Sequence, residues 1–174
     1  MTINYNTIPS PCYVIDEVRF RKNLSLIKHV SEESDAEIIL AFKGFAMWGV
    51  FPILREYVSG AAASSVDEAR LCFEEIGSPA HTYSPVYKDT DIQYILKYSS
   101  HVTFNSLAQF NKFSNKLNNY SKKISAGIRI NPEYSEVSHG IYNPCSPGSR
   151  LGIIAEELKD GLPPGIEGLH FHVL

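Results

Sequence analysis

Residues 37–44 read EIILAFKG, a β-branched and aromatic run closed by Gly44, and the spacing predicts a strand. Side chains alternate along a strand, so Ile38, Leu40 and Phe42 share one face while Ile39, Ala41 and Lys43 share the other. The wholly apolar row is the one to pack under helices. Lys43 is thereby left on the inner face at the carboxyl end of the strand, where parallel α/β folds place their active sites.

The same rhythm extends in both directions. Upstream, Asp16 is a good helix cap, and Phe20, Leu24, Ile27 and Val30 follow on one stripe. Before it, SPCYVID at residues 10–16 reads as a separate strand. Downstream, AMWGVFPILREYV predicts a helix kinked or divided near Pro52, and GAAASS at 60–65 a strand. Helices at VDEARLCFEEI, DTDIQYILKYS and LAQFNKFSNKL then alternate with strands AHTYSP (80–85), HVTFNS (101–106) and ISAGIRIN (124–131). A loop of about 19 residues from Pro132 to Arg150 exceeds the usual connection length, which marks it as functional or disordered. A short helix near AEELKDG and a strand EGLHFHVL (167–174) complete the chain.

Six alternating strands make an α/β fold with a parallel sheet, each connection long enough for a right-handed crossover. A closed (β/α)8 barrel needs two more strands and usually about 250 residues. The expectation is therefore an open sheet, or the front part of a longer protein that forms such a barrel.

Of 174 residues, 44% are hydrophobic and 20% charged, the composition of a folded globular chain. The net charge of −3 is dispersed and offers no basic footprint for nucleic acid or an anionic membrane. No apolar run is long enough for a membrane helix, and MTINYNT lacks the character of a signal peptide, so the expected compartment is the cytoplasm. Cys12, Cys72 and Cys145 are odd in number and far apart, indicating neither a disulfide framework nor a zinc site.

In the last strand Leu169, Phe171 and Val173 form the outward apolar row, while Gly168, His170 and His172 point inward toward the mouth that Lys43 occupies. Apolar neighbours Phe42, Phe45 and Trp48 would favour a neutral amine at Lys43, able to form a Schiff base. Arg129 and Arg150 feed the same end of the sheet and could hold a carboxylate or phenolate through the planar guanidinium fork. No glycine pattern for phosphate binding is present. His-x-His on a barrel strand leaves a metal-dependent hydrolase open as a different chemistry, and a non-catalytic cofactor carrier or interaction module is a third possibility.

AFKGFAMW, SSVDEARL, HTYSP, TFNSL, RINPEYSE, NPCSPGSRLG and GLHFHVL together resemble the fold-type III pyridoxal-phosphate-dependent decarboxylases, nearest their carboxynorspermidine/carboxyspermidine branch. The resemblance runs from about Pro9 to the end. It implies that Lys43 carries pyridoxal phosphate as a Schiff base, that His172 stacks on the cofactor ring, and that Arg150 lies close to the cofactor and Lys43. Arg129 and His170 would support them from behind, with no metal. It further implies α-decarboxylation of a carboxylated polyamine, a homodimer, and a C-terminal β-domain to which residues 1–16 lend a strand, residues 17–174 forming an incomplete barrel. The family's remaining part supplies the phosphate loop and the substrate-reading acids, so this chain alone is expected to be inactive. Diaminopimelate, ornithine and arginine decarboxylases and amino-acid racemases share the same chemistry and remain alternatives.

Overall fold

Capping and strand alternation account for most of the architecture of this computed structural model, which describes residues 4–173. The chain divides into two units, the first ending at Ile38 and the second beginning at Ile39. In the first, helix α1 (Glu17–Ser34) starts where expected, with the Asp16 carboxylate accepting a hydrogen bond from Arg19 N at 3.1 Å. Leu24 is buried, whereas Val30, placed on the same stripe, is exposed. SPCYVID forms no strand, and Tyr13 within it is 94% exposed.

The second unit is a single six-stranded sheet, β1 (Leu40–Ala41), β2 (Ala61–Ala63), β3 (Ala80–Tyr83), β4 (Ser99–Phe104), β5 (Ser125–Arg129) and β6 (Ile166–His170). Every pairing is parallel and the spatial order is the chain order. A doubly wound sheet reverses direction at a switch point. Here each connection returns to the next neighbour, which is the order of a (β/α)8 barrel, and six of its strands are present.

Helices α2 (Phe51–Leu54), α3 (Val66–Leu71), α4 (Ile92–Tyr98) and α5 (Leu107–Asn118) lie in the connections. Pro52 does not divide a longer helix. It occupies the first turn of α2, where its missing N–H leaves no bond unmade, and a 3-10 turn at Trp48–Val50 precedes it. A π-helical turn, Cys72–Ile76, extends α3 and closes on Gly77 in the left-handed region. The segment AEELKDG supplies only a 3-10 turn, Ala155–Leu158.

Five strands are shorter than their patterns, and in β1 and β6 the shortening bears on candidate residues. β1 is only two residues long because the chain turns at Phe42–Gly44, with Gly44 N donating to Ala41 O. β6 stops at His170, so His172 lies beyond it, and Leu174 falls outside the described residues. The outward row of β6 does not pack as expected. Leu169 and Phe171 are 57% and 64% exposed, because no described element covers them.

The principal core lies where α4 and α5 pack on β4 and β5. Phe104, fully buried, sets its ring edge-on to Tyr87 and Phe110 at 5.8 and 5.6 Å between centroids. Phe42, on the outer face of the first strand as its alternation requires, stacks on Phe51 at 5.5 Å. All three cysteines are free, Cys72 and Cys145 being buried. Among the described residues no helix is long and apolar enough to cross a membrane.

Phe104→Ala removes the centre of the main cluster and is expected to destabilise the chain by about 3–5 kcal/mol. Urea unfolding followed by circular dichroism measures the loss, and a change below about 1 kcal/mol would contradict this packing.

Candidate functional site

Helices on the outer face force an inner row of side chains at the carboxyl ends of the strands. On β3, Ala80 and Thr82 are buried outward, so His81 and Tyr83 face inward. On β4, Val102 and Phe104 go outward, leaving Thr103 and then Asn105 on the inner side. On β5, Ala126 and Ile128 go outward, leaving Gly127 and Arg129.

The strand ends are fixed by two reciprocal caps. Ser65 accepts from Glu68 N while Glu68 accepts from Ser64 N, and Ser106 accepts from Gln109 N while Gln109 accepts from Asn105 N. The Ser-x-x-Glu and Ser-x-x-Gln spacings satisfy otherwise unpaired donors and hold the exit of β2 and β4.

Lys43, Tyr83, Arg129, His170 and His172 line one cavity of about 470 Å³, together with Pro144 from the long loop and Leu151 just after it. Among the described residues, none that lines it is acidic. Lys43 is exposed at the mouth, not enclosed by aromatic rings as its neighbours in sequence suggested. Phe42 points to the opposite face, and Trp48 is 65% exposed. Nearer the amino ends of the strands a second cavity of about 310 Å³ is lined by His81 and His101, whose rings are 3.9 Å apart.

Arg129 is only 6% exposed. Its Nη1 donates to the Tyr83 hydroxyl at 2.8 Å, and its Cζ lies 5.0 Å from the Tyr83 ring centroid. Among the described residues no carboxylate pairs with it, and its Nε has no partner. His170 Nδ1 is likewise buried and unpaired. These two atoms are the buried side-chain polar atoms without partners among the described residues, and both belong to residues of one cavity. A buried, unneutralised guanidinium is costly by itself. The set suits an anionic ligand with several acceptor atoms.

Burial holds the His170 imidazole down at about 4, with the charges of Arg129, His172 and Lys43 acting in the same direction. His172 is lowered too, by burial first and then by Lys43 and Arg129. Both rings are thus biased toward the neutral form.

Arg150 is placed differently from the other four. Its exposed side chain lines a separate cavity with Ser84, Pro85 and Val86, outside the one that holds Lys43. Its backbone carbonyl does reach the site, accepting from Asn105 Nδ2 at 2.8 Å, and Gly152 N donates to Asn105 Oδ1 at 2.9 Å. Gly152 has φ +84°, and a Cβ there would stand 2.9 Å from Asn131 N and Ile130 C, so this turn requires glycine.

Tyr83, which lines the cavity, and Asn105, which accepts a hydrogen bond from it, are residues that sequence reasoning passed over. The signal was available, since the alternation applied to EIILAFKG also turns Tyr83 of AHTYSP and Asn105 of HVTFNS inward. Among the described residues no group of three or more His, Cys, Asp or Glu is clustered as metal ligands.

No protein-family model matches the chain. It is 45% identical over 169 residues to a carboxyaminopropylagmatine decarboxylase of Synechocystis sp., covering 97% of this chain and 43% of that protein. It is 43% identical over 170 residues to a carboxynorspermidine/carboxyspermidine decarboxylase of Campylobacter jejuni, covering 98% and 44% respectively. A crystal structure of carboxynorspermidine decarboxylase from Campylobacter jejuni, complexed with norspermidine, superposes with a TM-score of 0.83 at 41% identity, over 96% of this chain and 42% of that one. Diaminopimelate decarboxylase of Helicobacter pylori, at 18% identity and a TM-score of 0.77, shares the fold. The chain spans less than half the length of the relatives it matches.

The lowered His170 sets a pH dependence. Its ordinary value is 6.5 and its folded value about 4, so the unfolded chain takes up the proton first. The associated stability is fully present above pH 6.5 and is lost as pH falls toward 4. In urea titrations across this range, His170→Gln is expected to lose less stability on acidification than the unmutated chain; parallel curves would contradict the assignment.

Proposed function

The chain is a relative of the carboxynorspermidine/carboxyspermidine decarboxylases over 98% of its own length and 44% of theirs, and from that premise we propose that it carries the lysine-bearing part of a pyridoxal-phosphate-dependent decarboxylase acting on a carboxylated polyamine. The observation that carries this reading is Arg129, buried without a carboxylate, in the same cavity as the Lys43 amine. Polyamine biosynthesis, a homodimer and a cytoplasmic location belong to the same proposal, as does a β-domain joined by the segment 10–16.

The residues present fit pyridoxal phosphate. Lys43 Nζ, exposed at the mouth, is the amine that would hold its aldehyde covalently. The unpaired Arg129 Nε and His170 Nδ1 are atoms that an anionic, acceptor-rich ligand would satisfy. His172, half-buried and biased toward neutrality, offers an imidazole face at the same cavity without adding charge. Bound there, pyridoxal phosphate would supply the sink for the electron pair left when the carbon–carboxylate bond breaks.

The chain's own contribution follows from its charges. Arg129, fixed from Tyr83, presents a permanent positive charge to an anionic group. Lys43 Nζ would hold the cofactor and, when not so engaged, could carry a proton at the cavity mouth. Pro144 and Leu151 reduce water access from the loop side. Arg150 would act at a distance, since its charge reaches Tyr83 while its side chain lies outside the cavity.

Incubation with pyridoxal phosphate, reduction with borohydride and peptide mapping by mass spectrometry test the reading. A pyridoxyl group confined to Lys43 is expected, with complete loss in Lys43→Ala. Labelling at other lysines only, or none, would overturn it. With the remaining part of the enzyme supplied, carbon dioxide release from carboxynorspermidine, carboxyspermidine and carboxyaminopropylagmatine distinguishes the substrates named for the two relatives, and Lys43→Ala is expected to abolish release from each.

A further inference from the structure

Tyr83 joins three strands at the cavity wall. From the end of β3 its hydroxyl accepts from Arg129 Nη1 on β5 at 2.8 Å and donates to Asn105 Oδ1, just beyond β4, at 2.9 Å. Asn105 is itself held by Gly152 N, by the Arg150 carbonyl and, through its own N–H, by Gln109. The Tyr83 ring cannot swing away without breaking this chain. Its edge also packs on the His170 ring from β6, with centroids 4.9 Å apart.

We propose that Tyr83 is a positioning residue of this site: by holding Arg129 with a neutral phenol where a carboxylate would neutralise it, Tyr83 keeps the guanidinium beside His170 and leaves its positive charge for an anionic ligand. The proposal rests on the reading of the cavity as a pyridoxal phosphate site. An aspartate or glutamate in the same place would hold Arg129 more strongly and remove its charge from the cavity. The phenol does neither, because burial raises its pKa, the nearby Arg129 and Arg150 only opposing that rise, and it stays protonated near neutrality. The guanidinium over its ring adds a weak attraction that also leaves the charge intact.

Tyr83→Phe keeps the ring and deletes both hydrogen bonds. Tyr83→Glu supplies a carboxylate to Arg129 and serves where Tyr83→Phe does not fold. Tyr87→Phe is the control, since the buried Tyr87 hydroxyl donates to Thr82 O and Thr103 O and its side chain does not line the cavity. Two readouts are taken on the chain as it stands: the His170 ring titration by NMR without ligand, and the concentration of pyridoxal phosphate that half-labels Lys43 before reduction.

His170 is held near 4 by burial first, and then by the charges of Arg129, His172 and Lys43 that face it. Release of Arg129 in Tyr83→Phe is expected to move His170 up toward 6.5 and to weaken pyridoxal phosphate about tenfold, the size of one lost hydrogen bond to a charged group. Tyr83→Glu is expected to shift both readouts the same way. Tyr87→Phe is expected to lower stability and move neither. Wild-type values for both readouts in the Tyr83 variants would overturn the proposal. Absence of Lys43 labelling in the unmutated chain would instead overturn the cofactor reading, while the His170 titration would still decide whether Tyr83 holds Arg129.

Discussion

A parallel strand covered by helices has to give one of its two rows of side chains to the hydrophobic core, and the content of the inner row follows from that requirement. Val102 and Phe104 of β4 and Ala126 of β5 are almost wholly buried under α4 and α5, and Ile128 of β5 is fully buried. Thr82 joins this outer layer only because its hydroxyl pairs with Ser99 Oγ at 2.7 Å. With the outer rows so occupied, the polar and charged side chains fall on the inner face. Lys43, Tyr83, Arg129 and His170 therefore converge without any one strand carrying more than ordinary alternation. The serine caps at the exits of β2 and β4 add precision, since each fixes the backbone from which the inner row projects.

Convergence creates an electrostatic problem. Withdrawing a guanidinium from water costs several kcal/mol unless it is paired. Arg129 recovers part of this through the Tyr83 oxygen and the Tyr83 ring. His170 and His172 respond by holding their protons less tightly rather than by finding acids, and the cavity lining sets Lys43 and Arg129 together with no acid beside them among the described residues. Such a cavity is preorganised for negative charge, and the unpaired nitrogens of Arg129 and His170 are consistent with a ligand making the missing bonds.

Much of this geometry is legible in the sequence because period-two alternation is a local property. EIILAFKG places Lys43 inward, and GLHFHV places His170 and His172 beside it. What alternation does not give is distance through space between segments far apart in the chain. Arg150 lies next to a glycine turn and beside the site in sequence, yet its side chain leaves the cavity while its carbonyl stays, because Asn105 binds the backbone there. Arg129 and Arg150 read alike in the sequence as candidates for one end of the sheet, and only the packing of Arg129 beside Tyr83 and His170 shows that it is the buried one. Strand lengths were also illegible. The hydrophobic run continues past Ala41, but the turn bond from Gly44 N to Ala41 O ends β1 after two residues. That turn also brings Lys43 to the open mouth, where aromatic neighbours in sequence do not enclose it.

The charge balance also constrains how a carboxylated polyamine would lie under the proposed reading. Its amines are cations near neutral pH, and a cavity that holds Lys43 and Arg129 with no acidic lining among the described residues repels them. Its carboxylate is the one part of the molecule that this charge attracts. The reacting end would then face inward, toward Lys43 at the carboxyl ends of the strands, and the polyamine tail would run away from Arg129. Orientation would be set before any specific contact with the tail is made, because the reacting end brings a carboxylate along with its amine, whereas the substrate turned end for end would bring an ammonium alone toward the buried guanidinium. Residues that discriminate one polyamine from another therefore have to be sought outside the cavity around Arg129, where acids can face the tail without neutralising the charge that orients its carboxylate.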